Sequence, residues 1–467
     1  MKSNNYNLRF IWMLCLVAAM GGLLFGFDWV VIGGAKPFYE AYFGLVGDDK
    51  VWLAGWAMSS ALAGCLGGAS LSGVITDRLG RKKVLIIAAI MFTASAVWTA
   101  LSHDFNSFIV ARIIGGIGIG LASNVSPMYI AEVSPSEMRG KFVSINQLTI
   151  VIGIVAAQLI NFLIYSCAPV GEDATTEMIM KSWNGQVGWR LMFAAETVPA
   201  MLFFVLALFI PESPRWLLKR QRTEEARKVL ARIGGDEYAD LEVRDIEATV
   251  DGEYQSVGIG EYFKPRVMKI IALGAFLAVF QQWCGINVIF NYAEEIFKAA
   301  GYSVSGMMFN IVITGVVCLV FTFVAIKTVD KLGRRPLMLF GAGGLMVIYA
   351  AMGTVYYFKI NGIAVLLLVL AAIACYAMTL APITWVLLSE LFPNRIRGGA
   401  MSFCVSALWI ACFLLTVTFK SINASLGAAG TFWLYGAICL VGFVVILRKL
   451  PETKGKSLED IERELVD

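Results

Sequence analysis

The strongest constraint on this chain is a series of twelve apolar windows, each long enough to cross a lipid bilayer as a helix. A transmembrane helix needs about 20 mostly apolar residues. The windows lie near residues 10–34, 51–76, 82–102, 106–131, 142–166, 188–210, 267–293, 303–327, 336–358, 361–388, 399–420 and 428–448. Only 15% of the residues are charged, against about 25% in soluble domains. The sequence therefore predicts an all-α membrane protein with twelve transmembrane helices.

Short motifs recur on either side of a charged stretch that separates six windows from six. DRLGRKK (77–83) matches DKLGRRP (330–336), AEVSPSEMRG (131–140) matches SELFPNRIRG (389–398), and PESPRW (211–216) matches PETKGK (451–456). Repeated halves are typical of transporters in which two bundles rock around a central site. The predicted divisions are a six-helix bundle over 1–210, a cytoplasmic linker of short helices over 211–266, a second six-helix bundle over 267–450 and a cytoplasmic tail over 451–467.

Positive charge concentrates in the loops that follow the second and eighth windows. The positive-inside rule places these loops and both termini in the cytoplasm. Because the basic clusters are short and pinned to the membrane, we expect no nucleic-acid partner. The nine cysteines are scattered without a CxxC pair, and His103 is the single histidine. This composition favours neither an enzyme nor a metal site.

The first apolar window carries one formal charge, Asp28, and the fourth carries Arg112. If the first span ends near Gly34 and the fourth begins near Asn106, both charges lie about 9 Å below the outer membrane edge. Charges inside membranes usually pair, and they mark ion or proton routes. We therefore predict that Asp28 is a proton site and that Arg112 modulates its pKa. A permanent structural ion pair is the alternative.

The repeated motifs, with QQWCGINVIFNYAEEIF (281–297) and WVLLSELFPNRIRG (385–398), resemble the sugar porter family of the major facilitator superfamily over nearly the whole chain. The resemblance implies two six-helix bundles that move a monosaccharide by alternating access, without a cofactor, in a bacterial inner membrane. Symporters of the family carry a carboxylate where this chain has Asp28. We therefore expect a monomeric symporter of protons and a sugar, either D-xylose or a similar pentose or hexose. A passive facilitator and a non-transporting sugar sensor are the alternatives.

Carboxamides in the seventh window form the candidate sugar site, because an amide both donates to and accepts from sugar hydroxyls. The resemblance implies sugar contacts at Phe25, Gln281, Gln282, Asn287 and Trp385, and the chemistry of the residues adds Gln158, Asn291 and Trp409. On an ideal helix Gln281 lies about 120° from Asn287, so the amides converge only if the span bends. We expect that bend at Gly285. Hydrogen bonding between helices is the alternative role of these amides.

Eight charged residues are predicted to form a cytoplasmic gating network. They are Asp77, Arg81, Glu132, Arg139, Glu196, Arg334, Glu390 and Arg397. The duplicated motifs favour a network that latches the two halves while the site faces outward. Solvated charges that contribute little to stability are the alternative.

Small residues recur at helical spacing in three windows. One stripe consists of Gly22 and Gly26, a second of Gly64, Gly68 and Ser72, and a third of Gly116 and Gly120. In membrane proteins such stripes allow close helix packing, because the absence of a bulky side chain lets two backbones approach.

Overall fold

Long apolar helices build the structure, a computed structural model that describes residues 6–135, 137–171, 174–253, 259–360, 362–392 and 396–452. The first helices are α1 (Leu8–Tyr42), α2 (Val51–Leu79), α3 (Arg81–Leu101), α4 (Phe105–Val133), α5 (Arg139–Cys167), α6 (Thr176–Lys181), α7 (Trp189–Ala194) and α8 (Thr197–Phe209). A 3₁₀ turn (Asp48–Lys50) precedes α2, and a π-helical turn (Asn184–Gly188) precedes α7. We call residues 6–210 the first half.

Short helices follow and then the second half, residues 265–452. The short helices are α9 (Pro214–Lys219), α10 (Thr223–Gly234), α11 (Asp236–Glu253) and α12 (Ile259–Tyr262). The second half contains α13 (Pro265–Trp283), α14 (Ile286–Asn291), α15 (Ala293–Ala299), α16 (Val304–Leu332), α17 (Arg334–Tyr357), α18 (Ile363–Met378), α19 (Leu380–Glu390) and α20 (Arg397–Lys449). The halves meet where α1 contacts α14, α2 contacts α20 and α5 contacts α16.

Within the described ranges, eleven segments are long and apolar enough to cross a membrane. The last of them lies in α20, whose 53 residues would extend about 80 Å, far beyond an apolar core of about 30 Å. Its backbone leaves the helical region at Gly427 (φ 67°, ψ 173°), which divides α20 into two crossings. The predicted all-α architecture with twelve apolar helices is therefore confirmed.

The first helix is longer than the hydropathy pattern predicts. It begins where the Asn7 side chain accepts a hydrogen bond from the Phe10 amide, and it continues to Tyr42. The predicted end near Gly34 is wrong, because Lys36 and Glu40 are buried helical residues rather than loop residues. We call the face of the bundle at which α1 begins the termini side, and the face at which it ends the far side.

The seventh span breaks at the predicted residue. Gly285 adopts a left-handed conformation (φ 89°, ψ −7°) between α13 and α14. This conformation favours glycine, since a side chain would clash with the backbone. A Cβ here would also lie 2.9 Å from the Tyr435 ring. The break therefore changes the direction in which the residues of α14 point relative to those of α13.

Close helix packing follows the predicted stripes of small residues. A Cβ built on Gly116 of α4 would lie 1.9 Å from the main-chain oxygen of Ala61 in α2. A Cβ on Gly26 of α1 would lie 1.9 Å from the main-chain oxygen of Ile150 in α5. In both cases the obstacle is backbone, which cannot rotate away as a side chain can. The glycines therefore set the distance between helices inside the first half.

Replacing Gly116 by Val should destabilise the protein by about 1–3 kcal/mol or more, since overpacking forces the α2 and α4 backbones apart. Thermal unfolding in detergent measures the effect. The matched control is Gly67→Val, because Gly67 lies in the same pair of helices and a Cβ added to it would meet no atom within 4 Å. Equal melting temperatures for the two variants would contradict the close approach of these helices as the cause.

The short helices between the halves lie against the termini side. One face of α10 is apolar and buried, with Ala226, Leu230 and Ile233 inside. The main-chain oxygen of Ile233 accepts a hydrogen bond from the Asn7 amide at 2.8 Å. Between α10 and α11, Arg227 donates a 2.6 Å hydrogen bond to Asp240, which lowers the pKa of that carboxyl. Most of the predicted cytoplasmic tail, residues 453–467, lies outside the described part of the chain.

Candidate functional site

Asp28 and Arg112 form a buried ion pair between α1 and α4. Each residue is 2% exposed, and Arg112 Nη1 donates to Asp28 Oδ1. Arg112 Nη2 also donates to the main-chain oxygen of Asp28 at 3.4 Å, and the guanidinium lies 5.3 Å from the Phe193 ring centroid. The predicted pair is present, and Arg112 lies about 10 Å from the start of α4, close to the predicted distance. Because α1 continues to Tyr42, Asp28 lies about 20 Å from the helix end.

A second carboxylate, Glu196, lies beside this pair at the junction of α7 and α8. It is 2% exposed and interacts with both Asp28 and Arg112. Its assignment to the cytoplasmic gating network is therefore wrong. The physical reason is depth: about 20 Å of chain separates Glu196 from Phe209, where α8 ends on the termini side.

The group formed by Asp28, Arg112 and Glu196, which we call the charge triad, contains more negative than positive charge. Asp28 Oδ2 and Glu196 Oε1 are buried without a hydrogen-bond donor among the described residues. Buried oxygens in this situation are costly, because they lose water and gain no partner. A proton held between the two carboxyl groups supplies the missing donor and removes one charge. The triad is therefore suited to hold a proton.

Three of the predicted sugar-binding amides converge where α13 ends and α14 begins. Asn287 Nδ2 donates to Gln282 Oε1, and Gln282 Nε2 donates to Gln281 Oε1 at 3.1 Å. The break at Gly285 brings these side chains together. We call Gln281, Gln282 and Asn287 the amide cluster. Asn291 lies apart from it, in a small cavity that Asp28 and Arg112 also line.

Aromatic rings of α1 and α20 pack against one another, and one of them, Trp29, lines the same cavity as Asp28 and Arg112. Phe25 is 5.8 Å from Trp29 and 6.0 Å from Trp409, measured between ring centroids. The indole Nε1 of Trp409 is buried without a partner in the described structure. Trp29 was missed by sequence reasoning, although its position one turn after Phe25 places it on the same face of α1.

The other two predicted sugar contacts, Trp385 and Gln158, lie outside the amide cluster. Trp385 lies on α19, one turn after Ala381, whose main-chain oxygen accepts a hydrogen bond from Gln281 at 3.4 Å. It is 36% exposed. Gln158 is buried between the halves, where its Nε2 donates to Thr314 Oγ1 at 3.5 Å. Gln158 Oε1 has no partner among the described residues.

Sequence reasoning missed five charged residues on the far side, which we call the far-side cluster. Lys36 is 1% exposed, and its ammonium contacts Glu294 at 2.9 Å, Glu295 at 2.5 Å and Glu40 at 3.5 Å. Lys420 contacts Glu40 at 2.9 Å. Each pair except Lys36–Glu40 joins α1 of the first half to α15 or α20 of the second. The spacing of Lys36 and Glu40, one helical turn, is the sequence signal that could have indicated a continuing helix.

Comparison with known proteins establishes the family. The family model described as "Sugar (and other) transporter" matches residues 14–465. The chain belongs to this family. It is 38% identical over 494 residues to the D-xylose-proton symporter of Escherichia coli K12, with 98% of this chain and 96% of the relative covered. It is 37% identical over 462 residues to the arabinose-proton symporter of Bacillus subtilis, with 99% and 96% covered.

A solved structure of a sugar transporter shows the same fold. The xylose transporter of Escherichia coli, in a partially occluded inward open conformation, superposes with a TM-score of 0.84. The two sequences are 36% identical, and the match covers 96% of this chain and 100% of the other. The predicted major facilitator fold is therefore confirmed.

In the described part of the chain, each ion pair of the predicted gating network joins two residues of the same half. Arg81 Nη2 contacts Glu132 Oε1 at 2.9 Å, and Arg81 Nη1 contacts Asp77 Oδ1 at 3.6 Å. In the second half, Arg334 Nη2 contacts Glu390 Oε1 at 3.1 Å. These pairs repeat because the motifs that carry them repeat.

The structure describes the side chain of one of the two remaining arginines of the network, Arg139, but not that of the other, Arg397. Arg139 Nε donates to the main-chain oxygen of Ala131 at 3.0 Å. The Arg397 side chain lies outside the described part of the chain. The predicted latch between the halves on this side therefore stays a prediction.

Two further carboxylates on the termini side come from the repeated PES and PET motifs. Glu212 Oε1 accepts from the Arg81 amide at 2.8 Å and the Lys82 amide at 3.1 Å, at the start of α3. Glu452 accepts from the Arg334 amide at 3.0 Å, at the start of α17. A helix N-terminus favours a carboxylate because its first amides have no partner within the helix. Sequence reasoning found the motifs and missed this role.

Proposed function

We propose that this transporter is a proton-coupled monosaccharide symporter that works by alternating access, powered by the proton gradient and requiring no cofactor. The observation that carries the proposal is the charge triad, in which Arg112 pairs with Asp28 and a second buried carboxylate, Glu196, lies beside the pair. A passive facilitator needs no such group. The two relatives that are symporters of xylose and arabinose support a pentose as the sugar. Each proton gains about 2.3 kcal/mol per 100 mV of membrane potential.

The proton step follows from the charge of the triad. With one proton bound, one carboxylate remains and Arg112 neutralises it. Without that proton the triad is net negative, which is unfavourable in a membrane interior. Rearrangement of the halves around a neutral triad therefore costs less than rearrangement around a charged one. This difference links transport to proton binding.

Sugar binding uses the amide cluster and the neighbouring rings. The amides hydrogen bond to one another, which keeps these buried groups satisfied before a sugar arrives. A sugar hydroxyl both donates and accepts, so it can replace each of these bonds without loss. The faces of Phe25 and Trp409 suit the C–H face of a sugar ring. Binding then brings together groups of both halves.

We infer that the termini side is cytoplasmic and that the described conformation faces inward. The basic loops on the termini side support the first inference through the positive-inside rule. The far-side cluster supports the second, because its ion pairs join the halves at the side that must open outward. In the outward-facing state, Glu132 and Arg397 would latch the halves on the termini side.

Uptake into proteoliposomes tests this function. With an imposed pH gradient, we expect accumulation of a labelled pentose above equilibrium, and competition among pentoses and hexoses identifies the preferred sugar. Replacing Gln282 by Ala should raise the half-saturating sugar concentration about tenfold, because hydrogen bonds to the sugar are lost. Gln186→Ala, at an exposed glutamine, is the control. Uptake that only equilibrates, with or without the gradient, would identify a passive facilitator instead.

A further inference from the structure

Asn291 belongs to the second half but faces the charge triad of the first. With Asp28 and Arg112 it lines a cavity of about 10 Å³ between α1, α2, α4 and α14. Asn291 is 5% exposed, and its side chain has no hydrogen-bond partner among the described residues. A predicted sugar contact therefore lies against the predicted proton site rather than in the amide cluster.

Two polar atoms of the residues that line this cavity lack partners. Asp28 Oδ2 and Arg112 Nε are buried without one in the described structure. A volume of about 10–15 Å³ is the least that holds one water molecule, and such a water needs polar partners. The cavity meets both conditions. One water can therefore connect the Asn291 carboxamide to the Asp28 carboxyl group.

One short helix carries both Asn291 and part of the amide cluster. Asn287 and Asn291 are four residues apart on α14, so they lie on the same face of the helix. Helix α14 sits directly on α1, since a Cβ on Gly33 would lie 2.9 Å from the main-chain oxygen of Phe290. A shift of α14 on sugar binding at Asn287 therefore moves Asn291 relative to Asp28.

We propose that Asn291 is the positioning residue that couples sugar binding to the protonation of Asp28, an inference that rests on the proposed function. A carboxamide both donates and accepts, as does water, so Asn291 can stay connected to Asp28 through the bridging water whether that carboxyl group is charged or protonated. The charged or titratable groups that face Asp28 are Arg112 from α4, Glu196 from the α7–α8 junction and Cys65 from α2. Asn291 is the neutral group that reaches this set from the second half.

The test measures sugar affinity and proton uptake in the purified protein, in acidic and in alkaline buffer. Sugar and proton binding are reciprocally linked, so the sugar affinity of the wild type should change about 5- to 100-fold between the buffers. In Asn291→Leu we expect that change to fall below about twofold. Asn291→Ser, which supplies a hydroxyl that can hydrogen bond to the bridging water, should give an intermediate change. Asn310→Leu, at another buried asparagine of the second half, should behave as the wild type.

The outcomes separate this inference from the function on which it rests. If Asn291→Leu weakens sugar binding equally in both buffers, Asn291 is an ordinary sugar contact and the proposal is overturned. The same holds if the variant keeps the pH response of the wild type. If Asn291→Leu does not fold, the serine variant decides by the same comparison. If the wild type itself shows no pH response and takes up no proton with the sugar, the proposed symport fails instead.

Discussion

Replacement of Asp28 by Asn is expected to abolish sugar accumulation driven by a proton gradient while sugar exchange continues. Asparagine has nearly the shape of aspartate, but its carboxamide cannot bind and release a proton as a carboxyl group does. In the variant, Arg112 and Glu196 remain as a neutral pair, so the halves can rearrange without a proton. The accumulation ratio across the membrane should fall to about one, because the gradient no longer contributes energy to sugar movement.

Two assays on the same proteoliposomes measure this result. Uptake against an imposed pH gradient should be lost in Asp28→Asn, whereas counterflow of labelled sugar should persist. The control is Glu177→Gln, at an exposed carboxylate on the far side. Accumulation by Asp28→Asn that an ionophore still abolishes would show that the proton binds elsewhere. If Asp28→Asn loses both exchange and accumulation, the Asp28–Arg112 pair has a structural role instead.

The bilayer explains why so much of this fold could be predicted from the sequence. Lipid offers no hydrogen-bond partners, so the backbone N–H and C=O groups of a spanning segment must bond to one another. A helix does this within a single apolar window of about 20 residues. The same environment makes a lone charge costly, and for that reason Asp28 and Arg112 could be paired from their positions in the chain alone. The break at Gly285 followed from the requirement that the amides of one span meet at one place.

The errors have physical causes as well. Glu196 lies inside the window 188–210, where a charge is as costly as at Asp28 and needs a partner in the same way. Lys36 and Glu40 resemble loop residues in a hydropathy pattern, because such a pattern scores each residue without its partners. In the structure, ion pairs with residues of α15 and α20 offset the cost of burying these two charges. The position of Asn291 depends on how α14 packs on α1, a tertiary contact that no local pattern specifies.

Replacement of Lys36 by Met should open the far side. Lys36 is the buried cation between Glu294 and Glu295, and its loss leaves adjacent carboxylates without that partner. Removing one member of a buried ion pair costs about 3–5 kcal/mol, and hydration on opening relieves the cost. The equilibrium should therefore shift about 10²- to 10³-fold or more towards the outward-facing state. Distances between spin labels at Glu177 and Lys359, exposed far-side residues of the two halves, measure the shift.

Two further variants separate the charge of Lys36 from its packing. Lys36→Arg keeps a cation among the carboxylates and should remain closed on the far side. Adding Glu295→Gln to Lys36→Met removes one of the unpaired carboxylates and should return part of the population to the closed state. If Lys36→Met gives the same distance distribution as the wild type, the ion pairs do not hold the halves together. If Lys36→Arg opens as far as Lys36→Met, side-chain shape rather than charge holds the far side closed.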